Sequence, residues 1–141
     1  MIEKKQMSAR IFFDTNVILY SYSIKTERKK EIARELILNS AEVISTQVMQ
    51  EMCNVLTRKL KQDEVSITKV LAELNKNFFV FINNIETVNK ALDIHFKYRF
   101  SYYDSLIIAS ALQNECSVLY SEDLHHNQKI ENTLTIINPF M

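Results

Sequence analysis

The chain predicts an α/β fold, a mainly parallel sheet of about five strands flanked by helices. Short apolar runs of strand length recur at Ile11-Phe12-Phe13, Val43-Ile44, Phe78 to Ile82, Val118-Leu119-Tyr120 and Leu134 to Ile137. Between them lie segments with apolar residues at helical spacing. Strands that alternate with helices in this way pair in parallel, because each helix carries the chain back to the starting edge.

Taken in order, residues 1–9 read as a polar tail and residues 10–141 as a single domain of ordinary size. Ile11-Phe12-Phe13 is a buried strand, and Asp14-Thr15-Asn16 offers cap chemistry for a helix beginning over Val17 to Tyr22. Lys25 to Leu38 is amphipathic through Ile32, Leu36 and Ile37, with Asn39 as its stop. After Val43-Ile44, Ser45 or Thr46 caps a helix over about 46–60, whose apolar stripe is Val48, Met52, Val55 and Leu56. Ser66 or Thr68 starts a helix through Val70, Leu71 and Leu74; another spans Ile85 to about Lys97. Ser101-Tyr-Tyr-Asp104 has the form of a capping box opening a helix over 103–114, with Leu106, Ile107, Ile108, Ala111 and Leu112 buried.

Composition narrows the function. The 141 residues carry 17 Lys plus Arg and 17 Asp plus Glu, so net charge gives no general attraction to nucleic acid. Glycine is absent altogether, which excludes glycine-rich phosphate loops such as the Walker A and GxGxxG types. Positions that need φ > 0 must then fall to Asn or Asp. Candidates are Asn39, Asn83, Asn84, Asn114, Asn127 and Asn132. Cys53 and Cys116 have neither disulfide-scaffold nor metal spacing and read as free thiols of a reducing compartment. No apolar run approaches the ~18 residues of a membrane span, and the charged start Met1-Ile-Glu-Lys-Lys5 does not resemble a secretory signal. The expected location is cytoplasmic.

Four acids stand where an acid is costly. Asp14 ends the first strand and Asp123 follows the fourth, both at carboxyl ends, where open parallel sheets bind ligands. Glu51 falls within the apolar stripe of its helix. Asp104 lies three, four and seven residues before Ile107, Ile108 and Ala111, on the buried side of the first turn. Carboxylates within ~4 Å repel by about 4 kcal/mol per pair at an effective dielectric near 20. A cluster of them protonates or takes up a cation, and Mg²⁺ and Mn²⁺ favour oxygen ligands. Each acid also has a purely structural use: Asp14, Asp104 and Asp123 as caps, Glu51 as a partner for a nearby cation.

The residues resemble those of the PIN-domain ribonucleases, of the type found as the toxin of VapBC toxin–antitoxin pairs. The resemblance runs over about 10–140 and rests on Ile11-Phe-Phe-Asp-Thr-Asn-Val-Ile-Leu19, Thr46-Gln-Val-Met-Gln-Glu51, Tyr103-Asp-Ser-Leu-Ile-Ile-Ala-Ser-Ala111, Leu119-Tyr-Ser-Glu-Asp-Leu124 and Ile136-Ile-Asn-Pro-Phe140. It implies a three-layer PIN-like fold and Mg²⁺- or Mn²⁺-dependent endonucleolytic cleavage of RNA, leaving a 5′-phosphate and a 3′-hydroxyl. Asp14, Asp104 and Asp123 would be the main metal ligands, with Glu51 completing the site directly or through water. Thr15, Asn16 and Ser121 would support the ligands or touch phosphate. The implied partners are an RNA substrate, a cognate antitoxin whose tail blocks the site, and a second copy of the chain. The sequence departs from this branch where glycines are usual, near Asn127 and Asn132.

Other features take blander readings. Lys25, Arg28, Lys29 and Lys30 read as a solvated helix face, with RNA or antitoxin contact as the alternative. The rings among Lys97 to Tyr103 read mostly as packing, with base stacking on Tyr102 or Tyr103 as the alternative. His125 and His126 read as a loop pair. Three rival functions remain: a non-toxin PIN-domain RNA-processing nuclease, a haloacid-dehalogenase-like phosphohydrolase, which wants a second Asp where Asn16 stands, and a non-catalytic binding module.

Overall fold

A computed structural model describes residues 10–141, so the proposed tail 1–9 lies outside the described residues. The elements are β1 (Ile11–Phe13), α1 (Thr15–Tyr20), α2 (Glu27–Ser40), β2 (Val43–Ser45), α3 (Thr46–Arg58), α4 (Glu64–Asn77), β3 (Phe79–Phe81), α5 (Ile85–Tyr98), α6 (Tyr102–Gln113), β4 (Val118–Tyr120), β5 (Lys129–Ile130) and β6 (Leu134–Ile137). They form one six-stranded sheet in the order β3-β2-β1-β4-β6-β5. All neighbours pair in parallel except β5, which runs antiparallel to β6. The α/β expectation therefore holds, with one strand more than expected.

The strands are buried apolar ribbons. Phe12, Phe13, Ile44, Leu119 and Ile136 are fully shielded from solvent. Each such side chain contributes roughly 1.5–3 kcal/mol relative to leaving it exposed. Phe13 also meets Phe78 and Tyr120 edge-on, at ring separations of 5.3 and 5.4 Å. Cys53 and Cys116 are free thiols, and burial pushes Cys116 up to about 12. No helix among the described residues is long and apolar enough to cross a membrane.

Several local expectations are corrected. The first helix starts two residues early because Asp14 caps it, accepting a bond from the Thr15 N–H. Neither Ser45 nor Thr46 caps α3 by side chain: Ser45 occupies the cap position without a side-chain bond, and Thr46 Oγ1 accepts from the Asn83 N–H. The fourth helix is capped by Asp63, which accepts from the Ser66 N–H, rather than started by Ser66 or Thr68. The basic run is solvated only in part: Lys25 and Arg28 are exposed, but Lys29 pairs with Glu122 and Arg28 donates to the Phe140 carbonyl. Tyr103 is exposed rather than packed, whereas Tyr98, Phe100 and Tyr102 are half-buried.

Glycine's absence is met differently from the sequence expectation. Asn127 and Asn132 do adopt left-handed backbone, but so do Lys61, Arg99, Glu115 and Glu131. Arg99 is the clearest case: it ends α5 at φ 70°, ψ 25°, where its N–H donates to the His95 carbonyl. A Cβ in that region costs roughly 1–2 kcal/mol, part of which glycine's extra unfolded-state entropy offsets. Arg99→Gly is accordingly expected to stabilise the fold by about 0.5–1 kcal/mol in urea unfolding, and Arg99→Val to destabilise it. The reverse ranking would contradict this reading of the cap.

Candidate active site

The sheet brings the site together before any side chain is considered. Strands β3 and β2 lie on one side of β1, and β4 and β6 on the other, so the chain reverses its winding between β1 and β4. Open parallel sheets bind ligands in the crevice at such a reversal. The register aligns Phe13 with Tyr120. The next residues, Asp14 and Ser121, therefore emerge side by side, and the Asp14 N–H donates to the Tyr120 carbonyl at 2.9 Å.

Asp14 is only 7% exposed. The Thr15 N–H donates to Oδ1 at 2.7 Å, and the Ser121 hydroxyl donates to Oδ2 at 2.8 Å. Thr15 also donates through Oγ1 to Glu51 on α3, tying the second acid to the first. Gln47, one turn before Glu51, donates from Nε2 to Glu51 Oε2 and to the Tyr103 carbonyl, both at 3.1 Å. Asn16 donates from Nδ2 to Asp123 Oδ2 at 3.0 Å, while its Oδ1 accepts from the Glu122 N–H at 3.2 Å. Behind that loop, Tyr20 and Lys29 both bind Glu122, and the Lys29 ammonium lies 4.8 Å from the Tyr20 ring centre.

All four predicted acids line one open cavity of about 290 Å³, with Thr15, Asn16, Leu19, Asn54, Val55 and Ile107 completing its walls. Ser121 is fully buried and supports Asp14 from behind. Two placements differ from the sequence reading. Asp123 is exposed, and Asp104 is half-buried at the cavity rather than fully inside. Half of the capping box forms, since Ser101 accepts from the Asp104 N–H, and that bond leaves the Asp104 carboxylate out of the cap. His125 and His126 lie on an exposed loop away from the cavity, as the loop reading holds; His126 Nδ1 accepts from the Asn138 N–H. Gln47 escaped the sequence reading, though its position four residues before Glu51 puts it on the same helix face.

The electrostatics of the cavity are unbalanced. Its walls hold no Lys, Arg or His, and among the described residues none of the four acids forms a salt bridge. Burial pushes the Asp14 carboxyl from 3.8 to about 7; the bonds from Ser121 and Thr15 oppose the rise, and the charges of Glu51 and Asp104 add to it. A larger cavity of about 470 Å³ lies among α1, α2 and α4, where the Tyr22 hydroxyl donates to Glu73 and Arg34 donates to the Ser21 carbonyl, so one acid and one cation line it rather than an acid cluster.

The acidic cavity fits a hard divalent cation: its charged donors are all carboxylate oxygens, without thiol or imidazole. Among the described residues no three His, Cys, Asp or Glu side chains are gathered closely enough to hold a metal ion by themselves; the four acids line the cavity without closing on one point. An open carboxylate wall is what Mg²⁺ accepts, since that ion keeps several of its waters.

An α/β domain with an acidic cavity at the switch point of a parallel sheet is the class that fold and site define. The chain belongs to the PIN domain family, whose model matches residues 11–130. That membership removes the haloacid-dehalogenase-like alternative. No curated protein sequence matches the chain. Among solved structures, it is similar to a chain of a toxin–antitoxin complex from Klebsiella pneumoniae, at 19% identity and TM-score 0.66, covering 94% of this chain and 98% of that one. It is similar also to Mycobacterium tuberculosis VapC20, a sarcin–ricin loop cleaving toxin, at 17% identity and TM-score 0.67, covering 80% and 89%. A chain of DNA-bound VapBC from Salmonella typhimurium matches at 16% identity and TM-score 0.66, covering 92% and 97%. At these identities the likeness is one of fold.

The raised pKa of Asp14 has a consequence for stability. Folding lifts it from 3.8 to about 7. Below pH ~4 the carboxyl is protonated in both states and costs nothing. Between ~4 and ~7 only the unfolded chain ionises readily, so the fold loses stability as pH rises through this window. In chelator at pH 8, Asp14→Asn is expected to be about 2–4 kcal/mol more stable than wild type, the difference vanishing near pH 4. Urea unfolding across that range checks it, and a difference independent of pH would contradict it.

Proposed function

We propose that this chain is a Mg²⁺- or Mn²⁺-dependent endoribonuclease, the toxin of a toxin–antitoxin pair, with Asp14, Glu51, Asp104 and Asp123 as its active-site acids. The observation that carries the reading is the convergence of four carboxylates, without a compensating cation, on one cavity at the switch point. Membership of the PIN family supports the nuclease class, and the similar folds named as toxins support the biological role.

In this reading Asp14, Asp104 and Asp123 would hold the cation, with Glu51 completing the site directly or through water. Such an ion would supply an acidified water and charge stabilisation at a phosphoryl oxygen. The protein's own groups do the positioning. Ser121 and the Thr15 N–H orient both Asp14 oxygens. Thr15 Oγ1 turns Glu51 inward, and Asn16 anchors Asp123. Exposed Tyr103, on the turn that carries Asp104, offers a stacking face to an unpaired base.

The partners that the resemblance implies have candidate surfaces here. A cognate antitoxin would inhibit by covering the acid cavity with its tail. A second copy of the chain would cover α5, whose Ile85, Val88, Leu92 and Phe96 are 78, 48, 50 and 63% exposed, continuing to Ile82 at 72%. A run of large apolar side chains exposed along one helix marks a contact surface.

Two measurements test the proposal. Purified wild type should cleave structured RNA when Mg²⁺ or Mn²⁺ is added and stop with chelator. Asp14→Asn should fall by more than the ~100-fold that loss of a ligand's outer partner costs; equal rates would refute the site. For assembly, wild type should sediment as a dimer, and Phe96→Glu should weaken association by at least about thirtyfold, or 2 kcal/mol. A monomeric wild type, or an unaffected variant, would refute the α5 interface.

A further inference from the structure

We infer that Gln47 is a positioning residue that sets the spacing between Glu51 and Asp104; the inference rests on the metal-site reading above. Glu51 stands on α3 and Asp104 on α6, two helices separated in sequence by α4, β3 and α5. Nothing in the sheet register fixes one against the other. Gln47 does, because its single amide nitrogen donates both to Glu51 Oε2 and to the Tyr103 carbonyl, at 3.1 Å each.

The Tyr103 carbonyl belongs to the same planar peptide unit as the Asp104 N–H. That N–H donates in turn to Ser101 Oγ at 3.2 Å. The peptide plane that carries Asp104 is thus gripped at both ends, by Gln47 from α3 and by Ser101 from its own helix. The amide orientation is chemically determined. Reversed, its oxygen would face a carboxylate and a carbonyl, both acceptors.

The arrangement has a local cost. Gln47 is 5% exposed, and its Oε1 is buried with no hydrogen-bond partner. An orphaned buried acceptor destabilises by roughly 1–3 kcal/mol. A side chain placed only for packing would not carry that oxygen. One used for its two N–H donors must, since hydroxyl, thioether and carboxylate groups cannot donate twice. The residue therefore costs the metal-free fold and benefits the geometry of the acids.

That opposition separates a positioning role from a structural one. The test compares wild type, Gln47→Met and Gln47→Leu by calorimetric Mn²⁺ titration and by thermal melting in chelator, with Asp14→Asn as the site control. Both Gln47 variants keep the volume and remove the donors and the orphan. Expected is a Mn²⁺ Kd weakened by about tenfold or more, the range for loss of an outer partner of a ligand, with a metal-free melting temperature equal to or above that of wild type. A lowered melting temperature with unchanged Kd would show a merely structural role and overturn the inference. If wild type and Gln47→Met bind Mn²⁺ equally while Asp14→Asn does not, the Gln47 assignment alone falls. If wild type binds no Mn²⁺, the metal-site reading falls and takes this inference with it.

Discussion

The Asp14 carboxylate is clamped between the Ser121 hydroxyl and the Thr15 N–H at the seam of β1 and β4. Much of the molecule serves to place those groups together. The parallel register of Phe13 with Tyr120 brings the two strand ends level. Buried Phe12, Phe13 and Leu119 make a slip in that register costly, because every side chain would change faces. The short turn from β1 into α1 then aims Thr15 both ways, its N–H at Asp14 and its hydroxyl at Glu51.

The donors around the acids are neutral. Thr15, Asn16, Ser121 and Gln47 supply hydrogen bonds, and no cationic side chain lines the cavity. Nearby Lys29 is spent on Glu122, one residue from Asp123, where it braces the loop from behind. Neutral donors orient carboxylates without neutralising them. With no cation beside it, burial raises Asp14 to about 7 despite two good hydrogen bonds, and the charges of Glu51 and Asp104 add to the rise. A structural ion-pair cluster would show the opposite trend, with its carboxyls held down by cations.

The architecture was legible in the sequence because buried parallel strands are written as continuous apolar runs, and each main strand had one. The two-residue β5 was not: Lys129-Ile130 has no pattern of its own and exists through its antiparallel partner β6. The acids were legible by their placement at strand ends and on helix stripes, although Asp123 proved exposed, since a short loop rather than the strand carries it. Gln47 was invisible because its role depends on the Tyr103 carbonyl, 56 residues away. The anchoring of Arg28 and Lys29 was hidden for the same reason, their partners Phe140 and Glu122 being distant in sequence. Left-handed Lys61, Arg99, Glu115 and Glu131 escaped too, because a chain without glycine must use whatever residue stands at the turn.

The proposed chemistry depends on the four carboxylates forming one cation site. Anomalous diffraction from crystals of the intact chain soaked in Mn²⁺ tests it most directly. The account predicts a manganese peak inside the cavity, bounded by Asp14, Asp104 and Asp123 with Glu51 within one water of it. A cavity without manganese at saturating Mn²⁺, or a peak only at another site such as His125 and His126, would contradict it.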